Sequence, residues 1–96
     1  MFVGVARFEL FLTSQPNSLK AKRSIVNRVK ALLRNKLEIS VSEVDLQDIW
    51  QRCAVAIACV SGDQIMAKRL LEQASDLLAN CHDIEVTDEV WEVQSW

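Results

Sequence analysis

The chain has 96 residues, half of them hydrophobic and a quarter charged, with two Gly and one Pro. Such a length and composition describe one domain with a single core and short loops, and exclude a disordered or low-complexity chain. The net charge is only −2, but residues 1–37 hold eight Lys/Arg against one acid while residues 38–96 hold three against twelve, so the molecule is expected to have two faces of opposite sign.

Taken in chain order, residues 2–12 ("FVGVARFELFL") are rich in β-branched and aromatic residues and predict a strand. "TSQPNS" is a turn punctuated by Pro16 and Asn17. From Leu19 to Lys36 the apolar residues recur at helical spacing, Leu19, Val26, Val29, Leu33 and Leu37 on one stripe, with Ser18 or Asn17 as the N-cap. "EISVSEV" (38–44) alternates at period two, Ile39, Val41 and Glu43 on one side, as an edge strand does. "DLQDIWQ" (45–51) connects it to "RCAVAIACVS" (52–61), whose unbroken apolar run predicts a strand covered on both faces. "SGDQ" fits a capping box from Ser61 to Gln64, opening a second amphipathic helix that runs to about Asn80. "DIEVTDEVWEV" (83–93) is a last strand with a bulge or turn near Thr87–Asp88. The order βαββαβ with right-handed crossovers is the α+β ferredoxin-like arrangement: an antiparallel four-stranded sheet, first and third strands central, both helices on one face.

The opposite face of that sheet would be bare. With Phe2, Ala6, Phe8, Leu10 and Leu12 turned to the helices, Val3, Val5, Arg7, Glu9 and Phe11 line it, joined by Ala54, Ala56, Ala58 and Val60 of the third strand. A flat apolar patch of this kind is read as a homo-oligomer interface, a dimer first, formed by Val3, Val5, Ala54, Ala56 and Ala58. The competing arrangement folds a C-terminal tail carrying Trp91 and Trp96 over it. Base stacking on this face is not expected, because the third strand offers alanines where RNA-recognition motifs place aromatics.

"SLKAKRSIVNRVKALLRNK" (18–36) carries seven cations and no acid. Lys20, Arg23, Asn27, Lys30 and Arg34 form one polar stripe, with Lys22 at the end of the apolar side, its stem covering carbon and its charge reaching water. Lys20, Lys22 and Arg23 stand in the first turn, where the helix dipole disfavours cations. Function explains that placement if Lys20, Lys22, Arg23, Lys30 and Arg34 bind phosphates of RNA or another anion. Otherwise the run is a solvated face, or pairs with Glu43, Asp45 and Asp48. In the connector, Trp50 is read as an anchor over the core edge, with an exposed contact as the alternative. Asp48 pairs with Arg52 or with the first helix, and Asp48, Trp50 and Arg52 are together the candidate contact to a protein partner.

No catalytic constellation emerges. His82 is the sole histidine, no nucleophile motif or Gly-rich phosphate loop is present, and "TSQPNS" lacks the arginine and glycines of acylphosphatases, which share this element order. Asp45 and Asp48 offer too few oxygens for a hard cation. Cys53, Cys59 and Cys81 are expected to be reduced, buried hydrophobes of a cytoplasmic protein. No metal, no cofactor, no membrane contact and no enzymatic activity are expected. The longest apolar run, 53–60, is too short to cross a bilayer, and Arg7 and Glu9 interrupt any signal-peptide core.

"MFVGVARFELFL", "SLKAKR" and "QDIWQR" leading into "AVAIACVSGD" resemble, in that order and over nearly the whole chain, the YlxP-like family of small bacterial proteins of unknown function. The resemblance implies a ferredoxin-like fold. It also implies a link to ribosome maturation or translation, since genes of this family commonly lie beside those for ribosome-binding factor and translation initiation factor. The matching positions are Leu19, Lys20, Lys22, Arg23, Gln47, Asp48, Trp50, Gln51 and Arg52, none with an assigned role; the third strand here is richer in cysteine than the family pattern.

Overall fold

A computed structural model describes all 96 residues. It contains β1 (Phe2–Leu12), α1 (Leu19–Lys36), β2 (Ser40–Asp45), β3 (Arg52–Ser61), α2 (Gln64–Ala79) and β4 (Ile84–Ser95). The sheet order is β2-β3-β1-β4, every neighbouring pair antiparallel. This is the ferredoxin-like topology.

Alternation decides which side of each strand is buried. Ala6, Phe8, Leu10 and Leu12 of β1 and Cys53, Val55, Ile57 and Cys59 of β3 face the helices and join one core with Val26, Val29 and Leu33 of α1 and Ala67, Leu71, Ala74 and Leu78 of α2. Gly4 faces the same way, directly opposite Cys59; a Cβ there would lie 2.9 Å from the Cys59 sulfur and 3.3 Å from Leu71, so a side chain would have to push that sulfur aside and press on α2. Between Glu9 and Leu10 the β1–β4 register skips Thr87, the expected bulge, and the Thr87 hydroxyl donates to the Glu9 carbonyl at 3.2 Å.

Several expectations are corrected. β2 begins at Ser40, because a tight Ile39 N–H to Leu37 carbonyl bond closes a turn before it. α2 is capped by Asp63, whose carboxylate accepts from the Ile65 N–H at 2.9 Å, because Ser61 remains in the ladder opposite Phe2. β3 is not covered along both faces: on the side away from the helices Ala54 is covered but Ala58 and Val60 are exposed. The C-terminus does not fold over that face. β4 continues as an edge strand to Ser95, with Trp91 opposite Ala6 on the helix side and Trp96 75% exposed where its N–H meets the Met1 carbonyl.

Burial also sets the chemistry of the thiols. All three cysteines are free, Cys53 and Cys59 buried and Cys81 half-buried. Burial, and secondarily the Glu43 charge, push the Cys53 thiol from 9.0 up to about 11 against the opposing effect of Lys22. Burial also raises Cys59 and Cys81. With the folded value above the unfolded one, the unfolded chain loses the Cys53 proton first as pH rises. Stability is therefore complete below about pH 9 and falls between 9 and 11, by on the order of 2–3 kcal/mol from Cys53 alone. Urea titrations across that range should show the decline, and Cys53→Ala should flatten most of it.

Candidate functional site

Ser18 caps α1, its hydroxyl accepting from the Ala21 N–H at 3.1 Å. The helix that follows buries Lys22, Val26, Val29 and Leu33, one stripe at i, i+4, i+7 and i+11. Lys22 is thus a core-stripe residue, 1% exposed. Its ammonium donates to the Leu46 carbonyl at 2.6 Å and the Gln47 carbonyl at 3.0 Å, and is ion-paired with Glu43 Oε2 at 3.1 Å, an oxygen that accepts no hydrogen bond. The expectation that Lys22 releases its charge to water and binds phosphate is corrected, for its ammonium is buried, bonded to two carbonyls and ion-paired inside the molecule.

That ammonium is a clamp on the connector between β2 and β3. Leu46 has φ +63°, a backbone conformation that a leucine side chain disfavours, and its carbonyl is the one held at 2.6 Å. The Asp45 carboxylate accepts the Leu46 N–H at 2.8 Å. Farther on, the Gln51 carbonyl accepts from the Leu12 N–H and the Gln51 side chain donates to the Pro16 carbonyl, tying the connector to the turn before α1. The segments "SLKAKR" and "QDIWQR", remote in sequence, are therefore one assembly joined by Lys22.

The clamped connector shows its apolar residues to solvent. Ile49 and Trp50 are each 44% exposed, so Trp50 stands in solvent and the expectation that it anchors the core edge is corrected. Asp48 is exposed and forms no ion pair; Arg52 pairs instead with Glu9 at 3.3 Å, which corrects both partners expected for Asp48. The candidate trio Asp48, Trp50 and Arg52 is divided, the first two on the connector and Arg52 on the open sheet face.

The rest of α1 behaves differently from Lys22. Arg28 pairs with Asp83 at 2.8 Å. Lys20, Arg23, Arg34 and Lys36 are exposed, Lys30 is half-buried, and none of the five forms an ion pair. Four of the five sequence-predicted anion contacts thus share an unneutralised outer stripe, with no acid in the first turn to offset them.

On the open sheet face four charges neutralise one another: Arg7 meets Glu9 at 3.0 Å and Asp45 at 3.5 Å, and Glu9 also holds Arg52. Ala54 lies in register between Glu9 and Asp45 and is wholly covered, so it cannot contact a partner as expected; the longer side chains beside it take that surface. Val3, Val5, Ala56 and Ala58 are at least partly exposed. His82 lies exposed in the turn before β4, and no three His, Cys, Asp or Glu side chains converge on a metal-sized site.

Sequence reasoning missed the clamp although its signal was present. Lys22 falls four residues before Val26 on the core stripe, and the alternation Ile39, Val41, Glu43 turns an acid inward on β2. Two opposite charges at inward positions of adjacent elements call for each other.

The fold and these features define a small ferredoxin-like protein with a basic outer helix and a lysine-clamped connector. Comparison with known proteins then gives the family: residues 3–90 match the model described as "Protein of unknown function (DUF503)", and the chain belongs to that family. It is 32% identical over 85 residues to the uncharacterized protein YlxP of Bacillus subtilis (strain 168), across 88% of this chain and 91% of that protein.

Proposed function

We propose that this is a non-enzymatic cytoplasmic binding protein that grips structured RNA or a ribosomal particle through the outer face of α1. The observation that carries the proposal is the unpaired stripe of Lys20, Arg23, Lys30 and Arg34, beside a Lys22 and an Arg28 that are both internally paired. A helix that pairs two of its cations internally and leaves five unpaired, four of them on one stripe without acids, is suited to a polyanion. Contacts of this kind position a phosphate backbone and carry little sequence information. The process fits the link to ribosome maturation or translation that the resemblance implies.

Anisotropy of a labelled ribosomal RNA fragment, titrated at low and moderate salt, tests this. With three to four phosphates neutralised, log affinity should fall with log salt at a slope of roughly −2 to −4. The Lys20/Arg23/Lys30/Arg34→Glu variant, shown folded by circular dichroism, should lose binding. Absence of wild-type binding at low salt, or equal binding by the variant, overturns the proposal.

A further inference from the structure

We propose that the open sheet face is the interface of a homodimer, packed sheet to sheet about a two-fold axis that runs along the strands. This inference does not depend on RNA binding. Register places the outward side chains of that face in rows: Ser40–Ala58–Val5–Glu92 and Ser42–Ala56–Arg7–Val90, with Val60 and Val3 beyond the first row and Asp45–Ala54–Glu9–Asp88 beyond the second. Three exposed large hydrophobics belong to this side, Val5 at 41% and Val90 at 59% in the central rows and Val60 at 68% beyond them. Ala56, Ala58, Ser40 and Ser42 between them are short enough for a second sheet to approach to about 10 Å.

Area and charge both point to a second copy. Four strands at about 4.8 Å spacing and about nine residues at about 3.3 Å give a face of on the order of 550 Å² per copy, or about 1,100 Å² for a pair. That just clears the roughly 1,000 Å² expected of a specific interface and fits a modest, concentration-dependent dimer. Arg7, Glu9, Arg52 and Asp45 neutralise one another within each chain, so covering them strands no single charge. Glu92 and Asp88 have no such partner. Laying β4 on its own copy would oppose these acids, whereas an axis along the strands lays β4 over the partner's β2. There Glu92 meets the hydroxyl of Ser40, and the row holding Asp88 falls at the solvated rim. Both helical layers are left outside, so the two α1 stripes lie on opposite faces of the dimer.

Sedimentation velocity of the wild-type chain from about 5 to about 500 μM should show a monomer passing to a dimer, with a dissociation constant in the micromolar range. Ala58→Glu, at an exposed position, should raise that constant by at least about 100-fold with unchanged circular dichroism. In a Cys81→Ser background, Ser42→Cys and Val90→Cys together should link copies through a short bismaleimide, while Glu92→Cys alone should not. A wild-type monomer at every concentration, or a dimer indifferent to Ala58→Glu, overturns the proposal; efficient linking through Glu92→Cys alone overturns the axis.

Discussion

Lys22→Ala is expected to lose roughly 3–5 kcal/mol of stability, a large share of what a domain of this size possesses. Truncation would leave Glu43 Oε2 buried without its cation and the carbonyls of Leu46 and Gln47 without the donor that holds them. The loss is the cost of stranding these groups, rather than the net worth of the pair. The double variant Lys22→Met/Glu43→Leu, which removes both charges, should therefore recover most of it. Lys22→Arg should fail to rescue, because a bulkier planar guanidinium cannot meet two carbonyls and a carboxylate arranged around a single nitrogen. Urea titrations followed by circular dichroism rank the four proteins. If Lys22→Ala unfolds at nearly the wild-type midpoint, the clamp contributes little.

Phe8→Ala is expected to cost about 3–5 kcal/mol, because Phe8 is fully buried at the centre of β1 and its removal opens a cavity in the core. Its neighbour Arg7 faces the opposite side, in an ion-pair network open to water, and Arg7→Ala should cost less than about 1 kcal/mol. The contrast between adjacent residues reports the strand's pleat directly. Similar losses at both would mean that the open face is covered in solution, so the pair is best measured at concentrations below dimer formation.

Much of the scaffold was legible because it follows from local periodicity. The inward set of β1 and that of β3 appear as alternation, and Ser18 and the bulge near Thr87 appear as local chemistry. The candidate site was less so. Lys20, Arg23, Lys30 and Arg34 stand on the outer stripe that a helical wheel assigns them, whereas Lys22 does not behave as its position among the cations suggested. Counting charge along a segment treats every lysine alike; the burial of one and the exposure of its neighbours depend on which side of the helix meets the sheet. Ala54 shows the same limit, since an outward alanine is covered once Glu9 and Asp45 are placed on either side of it.

By itself the sequence determined the element order, the hydrophobic face of each element and the segregation of charge, all of which are properties of residues a few positions apart. Only the tertiary structure decided how segments distant in the chain combine. Lys22 meets carbonyls 24 and 25 residues away, Glu9 is shared between Arg7 and an arginine 43 residues on, and Trp50 is left in solvent because the loop carrying it is held from beneath. The physical reason is that a charge removed from water must find its counter-charges and acceptors nearby. Local sequence pattern shows the need for such partners, but the packing of α1 against β2 selects them.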